Sequence, residues 1–233
     1  MPRFRRPHHQ AIDELLHGLN ADLLARAACY FGGGTQLALT MGEYRESRDI
    51  DFLCSSRTGY RLLREQVTSH SLGDILASEH QLAREVRADR DGIRTFIVVG
   101  ETKIKFEILL EARIELGGEV EPRLAVPMLS RPHAIAEKLL ANTDRGLDES
   151  TLSRDLIDLA FVATHASRSE LDLGLSIAEQ AYGQAIREHL RLTLASFQQR
   201  SAHAKRCIEV LGISDTTTLR KGLRALGKFS SQD

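Results

Sequence analysis

Apolar residues in the first half of the chain recur with two different periods. Residues 9–28, HQAIDELLHGLNADLLARAA, place apolar side chains every three or four positions, which predicts one amphipathic helix. CYF then predicts a short extended segment before three glycines, and TQLALTMG predicts a helix that ends near Gly42. RDIDFLCS alternates polar and apolar residues, which predicts a strand with Asp49 and Asp51 on one face and Ile50 on the other.

The alternating period returns after another helical stretch. YRLLREQVTSHSL predicts a helix, residues 75–90 a mixed region, and RTFIVVG and TKIKFEILLEA two strands. The second of these strands has one apolar face and one charged face, and the charged face carries Lys103, Lys105 and Glu107. Period-two patterns are therefore concentrated before residue 129.

From residue 130 onward the helical period dominates. SRPHAIAEKLLANTDRG predicts a helix with a serine cap and an early proline, ending at Gly146. STLSRDLIDLAFVATHA predicts a second helix, and residues 169–230 three more. We therefore predict an α+β protein with a mixed sheet flanked by helices in residues 1–128, and a helical C-terminal domain in residues 129–233 that completes the active site.

Composition narrows the class of protein. The chain of 233 residues is 42% hydrophobic and 27% charged, which suits a globular protein with a substantial core. It contains no apolar run long enough to cross a membrane, and no apolar segment follows the basic N-terminus as in a signal peptide. Cys29, Cys54 and Cys207 are widely spaced, which indicates reduced thiols. We expect a cytoplasmic protein with no membrane partner.

Charge is distributed unevenly along the chain. From residue 181 to the end there are nine Lys and Arg residues against four Asp and Glu residues, although the whole chain carries a formal charge of −1. A basic C-terminal region is suited to a polyanionic substrate such as RNA. Solvated helix faces would produce the same composition.

The glycine run Gly32–Gly34 fits neither of two common phosphate-binding motifs, the Walker A loop and the dinucleotide-binding fingerprint. No Gly-Lys-Ser/Thr follows it, which excludes a Walker A loop, and Leu37 stands where a dinucleotide fingerprint needs glycine. A glycine turn before a helix still exposes backbone N–H groups, and Thr35 adds a hydroxyl, so phosphate could bind there. A tight structural turn explains the same glycines equally well.

The two aspartates of the first predicted strand carry a stronger indication of chemistry. Carboxylates that share a strand face repel each other unless a cation lies between them, and their oxygens suit Mg²⁺ or Mn²⁺. Glu107, on the charged face of a later strand, could supply a third ligand. Ion pairs of the aspartates with Arg45 and Arg48, and a solvent-exposed Glu107, are the alternatives.

Two charged residues of the helical half are further candidates. Lys138 lies near the edge of an apolar helix face, from which an ammonium could reach phosphate. Asp155 lies in the first turn of a predicted helix, where an aspartate commonly caps the helix or interacts with its dipole. The histidines form no metal-binding spacing.

In their order along the chain, these motifs resemble the nucleotidyltransferase superfamily with the DNA polymerase β-type fold. Within it the sequence most resembles the AbiEii/AbiGii-type toxins of bacterial toxin–antitoxin systems, including the MenT-like group. The resemblance rests on four segments: Phe31 to Thr35, Arg45 to Asp51, Lys138 to Ala141 and Arg154 to Leu159.

The resemblance implies a role for each matched residue. It implies that Asp49, Asp51, Lys138 and Asp155 are catalytic, and that Asp49 and Asp51, with Glu107, bind the metal ion. It also implies nucleotide contacts by a larger set: Gly33, Gly34, Thr35, Arg45, Ser47 and Lys138.

The implied reaction is transfer of a nucleoside monophosphate from an NTP to an acceptor, with Mg²⁺ or Mn²⁺ as cofactor. The resemblance implies an RNA acceptor, the 3′ end of a tRNA, with translation blocked as the result and a cognate antitoxin as partner. A nucleotidyltransferase that modifies a protein or a small molecule, such as an antibiotic, is the alternative.

Overall fold

The chain forms two compact units, and they do not follow one another simply along the sequence. The computed structural model describes residues 3–231. The first unit contains the residues up to Leu39 together with Ser47–Ser130, and the second contains Thr40–Glu46 together with the residues from Arg131 onward. The sequence predicts a boundary at residue 128 and does not indicate that Thr40–Glu46 belongs to the second unit.

The first unit contains a mixed sheet of seven strands within the described residues. The strands are β1 (Cys29–Gly32), β2 (Asp49–Cys54), β3 (Gln81–Ala88), β4 (Gly92–Val99), β5 (Thr102–Leu110), β6 (Gly118–Glu121) and β7 (Val126–Leu129). Their order across the sheet is β3-β4-β5-β2-β1-β7-β6. The pairs β2–β5 and β1–β7 are parallel, and the other neighbours are antiparallel. The short strands β6 and β7 were not predicted, because four residues are too few to show a period.

Alternation along the central strands places the core on one face of the sheet. Ile50 and Phe52 of β2, and Phe106 and Ile108 of β5, are completely buried in one hydrophobic cluster. Burial of each such side chain contributes about 1.5–3 kcal/mol. The residues between them point to the opposite face, which is therefore the polar face that carries Asp49, Asp51 and Glu107.

Short helices accompany this sheet in the first unit. They are α1 (Pro7–His17), α2 (Ala21–Arg26), α3 (Gly33–Thr40, whose last residue belongs to the second unit) and α4 (Arg57–Arg64). The single helix predicted over residues 9–28 is wrong, because the chain turns at Gly18. Leu19 forms a β-bridge with Leu76, and the Asn20 side chain accepts a hydrogen bond from the Leu23 N–H to start a new helix.

The second unit is helical. Its helices are α5 (Arg131–Arg145), α6 (Arg154–Val162), α7 (Arg168–Tyr182), α8 (Ala185–Gln199), α9 (Ser201–Val210) and α10 (Thr216–Ser230). Helix α5 packs against α6, α7 and α8, and α10 packs against α6. The last contact requires glycine, since a Cβ at Gly222 would lie 1.9 Å from the Ala160 carbonyl oxygen.

The prediction of three helices between residues 169 and 230 is wrong, because the described chain forms four. Arg200 separates α8 from α9 with a non-helical backbone, at φ −100° and ψ 72°. No glycine or proline marks this break in the sequence. The α+β fold class, with a mixed sheet and a helical C-terminal region, is confirmed. None of the helices within residues 3–231 has both the length and the apolar character that a bilayer crossing requires.

Candidate active site

The polar face of β2 carries the two aspartates singled out from the sequence. Asp49 and Asp51 are half-buried on this face, whereas Ile50 between them is buried in the core. Within residues 3–231, the Asp49 carboxylate makes no hydrogen bond or ion pair with another residue. The protein therefore leaves this carboxylate available to a group from outside the chain.

The glycine turn lies directly against the second aspartate. Gly32 of β1 is opposite Asp51 of β2 in the antiparallel register, and α3 begins at Gly33. Gly33 has φ +69°, and a Cβ at this position would lie 2.7 Å from the Asp51 carboxylate oxygen Oδ2. Glycine is required here both by the backbone conformation and by the close approach. The N-terminus of α3, with its free N–H groups, is thereby placed beside the carboxylate.

A hydrogen-bonded chain fixes the start of β2. Thr35 is 1% exposed, and its hydroxyl donates to the Asp49 carbonyl oxygen at 2.5 Å. Since this uses the only hydroxyl proton of Thr35, the Ser47 hydroxyl donates to Thr35 Oγ1 at 2.7 Å. In this structure Thr35 therefore positions the strand that carries the aspartates.

Two histidines of α1 hold the same segment, and the sequence analysis assigned them no role. The backbone N–H of Ser47 donates to His9 Nε2 at 3.1 Å, which requires that this nitrogen carry no proton. His8 Nε2 donates to the Arg48 carbonyl oxygen at 2.9 Å, which requires that this nitrogen carry one. The two neighbouring side chains thus hold the Ser47 N–H and the Arg48 carbonyl, which belong to two of the three peptide groups between Glu46 and Asp49.

Strand β5 brings Glu107 next to the aspartates. Glu107 lies directly opposite Asp51 in the parallel register of β2 and β5. Its carboxylate contacts Lys105 Nζ and lies 3.4 Å from Arg94 Nε, so two cations of the protein already compensate its charge. Within residues 3–231, no group of three or more His, Cys, Asp or Glu side chains is arranged to hold a metal ion. The role of Glu107 as a third ligand stays a prediction.

The donor set of Asp49 and Asp51 nevertheless fits a divalent cation. Two carboxylates on one strand face, one of them without a partner among the described residues, supply hard oxygen ligands. Mg²⁺ commonly takes only one or two carboxylates and completes its shell with water and substrate phosphate. The fit therefore does not depend on Glu107.

In the second unit, Lys138 and Asp155 belong to one buried ion-pair cluster. Lys138 of α5 is 7% exposed, and its Nζ lies 3.0 Å from Asp155 Oδ1 and 2.7 Å from Asp158 Oδ2, both on α6. Arg145, at the end of α5, donates to both Asp155 oxygens, at 2.8 and 3.1 Å. Asp155 is therefore held by two cations of α5 and does not cap its own helix.

Thr40–Glu46 supplies the remaining members of this cluster. The Arg45 guanidinium binds Asp158 with two parallel bonds, Nε to Oδ1 at 2.6 Å and Nη2 to Oδ2 at 2.9 Å. The Tyr44 hydroxyl donates to the same Asp158 oxygen Oδ1 at 2.6 Å, and its ring stacks on Phe161 at 4.0 Å between centroids. Arg45 also donates to the Glu46 carbonyl, so the structure assigns its guanidinium to the interior of the second unit.

Electrostatics favour the charged form of the acidic and basic side chains in this cluster, whereas burial and Asp158 raise the pKa of Tyr44 and keep its hydroxyl neutral. Burial alone would raise the pKa of Asp158, but Arg45 and Lys138 outweigh it and hold this pKa below its ordinary value. Burial would likewise raise the pKa of Asp155, and Lys138 and Arg145 bring it well below the usual range. Burial lowers the pKa of Lys138, and the two aspartates raise it above its ordinary value. The acidic and basic residues of the cluster are thus ionised and compensate one another.

Comparison with known proteins connects these features to a function. A family model described as the nucleotidyl transferase AbiEii toxin of type IV toxin–antitoxin systems matches residues 14–214. The chain belongs to this AbiEii family. A crystal structure of a protein from H. pylori, described as a nucleotidyltransferase, is similar in fold, with a TM-score of 0.57 and 18% identity over 95% of this chain and 91% of that chain. No protein of curated function matches the chain.

Membership of the AbiEii family confirms the broad prediction from the sequence. The chain is a nucleotidyltransferase toxin of a toxin–antitoxin system. Nucleotidyltransferases as a class use an NTP and a divalent metal ion, which agrees with the chemistry of Asp49 and Asp51. The roles of the individual residues, the metal ion used and the acceptor are not given by this match.

Asp158 is one of the members of this AbiEii protein's ion-pair cluster that were not predicted from the sequence. It stands in the same Arg-Asp-x-x-Asp segment as Asp155, one helical turn later, so both carboxylates lie on one face of α6. A charged residue at a position that the helical period assigns to the core was a usable signal. Tyr44 gave no such signal, because its partner is 114 residues away in sequence.

Proposed function

We propose that this protein transfers a nucleoside monophosphate from an NTP to an RNA acceptor, with the 3′ end of a tRNA as the favoured acceptor. Transfer to that end would block translation, and a cognate antitoxin would restrain the activity in the cytoplasm. The observation that carries the proposal is the arrangement of Asp49 and Asp51 on one strand face, with the start of α3 against Asp51.

Asp49 and Asp51 are the residues that would hold Mg²⁺ or Mn²⁺. When bound, the cation would neutralise charge that develops on the phosphate oxygens during transfer. The half-buried position of both aspartates limits competition from bulk water, and the hydrogen bond from Thr35 to the Asp49 carbonyl fixes the strand. The protein therefore supplies ligands whose positions are set before substrate binds.

The N-terminus of α3 is the proposed site for the triphosphate. Backbone N–H groups at Gly33 and Gly34 are not used by the helix itself, and the positive end of the helix dipole favours phosphate. The Thr35 hydroxyl holds β2 through the Asp49 carbonyl oxygen, and the Ser47 hydroxyl donates to Thr35. We propose a positioning role for Thr35, and a nucleotide contact for Ser47.

For the second unit we propose different roles for Lys138 and Arg45. An ammonium has three N–H donors, and Lys138 uses two of them on Asp155 and Asp158, so one remains for a phosphate oxygen. Asp155 would orient Lys138 for that contact. Arg45, whose guanidinium is bound to Asp158, would act on structure and not on the nucleotide.

The chemical step follows from these positions. The acceptor hydroxyl oxygen attacks the α-phosphorus, a new P–O bond forms, and the bond to the β-phosphate breaks to release pyrophosphate. The hydroxyl proton passes to solvent. Attack and departure lie roughly in line, so catalysis depends on positioning and on charge neutralisation.

The test is incubation of the purified protein with each of the four α-labelled NTPs, Mg²⁺ or Mn²⁺, and either total RNA or total protein. We expect label in the tRNA fraction, none with Asp49→Asn, and none after chelation of the metal ion. Label in protein or in a small molecule, with unlabelled RNA, would contradict the RNA acceptor and support the alternative acceptor class.

Lys138 needs a separate test because it is also part of a buried ion pair. Lys138→Met should raise the KM for the NTP and should also lower the free energy of unfolding. Arg145→Gln removes the other cation of Asp155 and is the matched control, expected to lower stability without the change in KM. Equal KM values for the two variants would show that Lys138 is structural.

A further inference from the structure

The polar face of the sheet extends beyond the aspartates, across β5 and β4 to the edge strand β3. Residues on these strands lie directly opposite one another in two rows that cross the sheet. The first row consists of Asp49, Lys105, Phe96 and Arg84. The second row consists of Asp51, Glu107, Arg94 and Arg87. Each row thus connects one aspartate of β2 with an arginine of β3.

The outer cations of this face are open to solvent and uncommitted. Arg84, Arg87 and Lys103 are exposed, and within the described chain their side chains make no hydrogen bond or ion pair. Because these cations are exposed and unpaired, they add no packing or ion-pair energy to the sheet. Like charges that lie next to each other on a strand face also weaken a sheet. The concentration of positive charge therefore points to an anionic partner.

The inner cations share a single carboxylate. Lys105 and Arg94 both contact Glu107, and Arg94 also lies 3.2 Å from Asp89. Both cations are half-buried, and both lie between the aspartates of β2 and the exposed arginines of β3. Basic side chains thus lie on each strand between the edge of the sheet and the aspartates, with Glu107 and Phe96 among them.

An aromatic ring lies in the middle of this basic surface. Phe96 is half-buried on the polar face of β4, opposite Lys105, while its neighbours Thr95 and Ile97 are buried on the core face. A phenyl ring that lies outside the core and is flanked by cations is the combination with which proteins stack bases and bind phosphates of single strands.

The side from which an acceptor can approach follows from the strand order. The glycine turn that begins α3 lies against Asp51 from the β1 side of β2, whereas Phe96 and the cations lie on the β5 side. In-line transfer places the leaving pyrophosphate and the attacking hydroxyl on opposite sides of the α-phosphorus. A triphosphate at the start of α3 therefore leaves the β5 side for the acceptor.

We propose that the single-stranded end of the acceptor RNA lies across this basic sheet face, defined by Arg84, Arg87, Arg94, Phe96, Lys103 and Lys105. Phe96 stacks on a base near the reacting terminus, and the exposed cations bind phosphates. The distance from β2 to β3 is three strand spacings, or about 14 Å. This inference rests on the proposed function, since it names the surface that holds the acceptor of that reaction.

Two sets of variants test the surface, with labelled transfer to tRNA as the first readout. Phe96→Leu removes the π-face and should raise the KM for tRNA about tenfold, while Phe96→Tyr, which keeps the ring, should restore it. Arg84→Gln with Arg87→Gln should raise the same KM and flatten the log–log salt dependence of RNA binding by about 1.4, or about 0.7 for each lost contact. The KM for the NTP and the Tm should stay unchanged.

The matched control is Arg220→Gln with Lys221→Gln, two exposed cations of α10 in the basic C-terminal region. We expect this control to leave the KM for tRNA and the salt slope unchanged. If the control flattens the slope and the β3 variant does not, the RNA binds elsewhere and the inference is wrong, although the proposed function stands. If the wild-type protein labels a protein and no RNA, the proposed function itself fails, and the inference fails with it.

Discussion

Four aspartates of this protein, two in each unit, occupy opposite electrostatic surroundings. Asp49 and Asp51 are half-buried on a strand face, and the carboxylate of Asp49 has no partner among residues 3–231. Asp155 and Asp158 are buried and surrounded by cations of the protein. The carboxylate of Asp49 is thus left available, whereas those of Asp155 and Asp158 are neutralised, which separates a carboxylate suited to an external cation from two that maintain the fold.

The largest effect is expected at Asp49, whose carboxylate has no partner among residues 3–231. Asp49→Asn should reduce the rate of nucleotidyl transfer by about a hundredfold to a thousandfold. The reason is that the cation bound by Asp49 supplies several kcal/mol of stabilisation to the charge of the transition state. Its free energy of unfolding should stay the same or rise slightly, since repulsion from Asp51 is removed. The measurements are labelled transfer and denaturant unfolding, with Asp74→Asn as an exposed control. A loss of several kcal/mol in stability would remove the contrast with the second unit.

The next largest effect is expected at the neutralised pair. Asp158→Asn leaves Arg45 and Lys138 buried without their shared anion, and should lower the free energy of unfolding by about 3–5 kcal/mol. Urea unfolding measures this loss. The control is Asp172→Asn, which breaks an exposed ion pair with Arg168 and should change the free energy of unfolding by less than about 1 kcal/mol. Similar losses in both variants would mean that the cluster contributes no more than a surface ion pair.

Acid should act on the same cluster. The pKa values of Asp155 and Asp158 are lower in the folded protein than in the unfolded chain, so the ion pairs contribute stability above the unfolded pKa of about 4. That contribution is lost as the pH falls from about 4 towards the lower folded values. We expect the free energy of unfolding to fall by about 2 kcal/mol between pH 5 and pH 3. In Asp158→Asn the decrease should be smaller, and an unchanged decrease would assign it to other carboxylates.

The smallest effect is expected at the hydroxyl of Tyr44. Tyr44→Phe removes one hydrogen bond to Asp158 and keeps the stacking on Phe161, so it should cost about 1 kcal/mol. Tyr182→Phe, on α7, is a control with the same chemical change. A loss above about 3 kcal/mol would show that the hydroxyl, and not the two cations, dominates the surroundings of Asp158.

The contrast also explains which features could be predicted from the sequence. The positions of Asp49 and Asp51 follow from strict alternation, since a strand turns successive side chains to opposite faces wherever it lies. The ordered motifs identified the family. The ion-pair partners of Asp158 could not be predicted, because alternation and helical period report only neighbours within a turn or two. For Arg45 the family resemblance implied a nucleotide contact, and its buried partner 113 residues away is visible only in the structure.

The end of the first helix was predicted wrongly for a related reason. The period of residues 9–28 continues through Gly18, and a contact from another part of the chain helps to end α1 there. A Cβ at Gly18 would lie 2.6 Å from the Ser78 hydroxyl oxygen, and the Ala77 N–H donates to the Gly18 carbonyl. Tertiary packing therefore reinforces a break that Gly18, as the C-cap of α1, and Asn20, as the N-cap of α2, also favour locally.

The pairing of Arg45 with Asp158 also has a consequence for the time during which the chain is made. Synthesis at about 5–20 residues per second means that Arg45 is joined to the chain roughly 5–25 seconds before Asp158 exists. Throughout that interval a segment between the glycine turn and the aspartates of β2 lacks the anion that it needs in order to be buried. The nascent toxin therefore cannot complete the second unit until α6 has been translated.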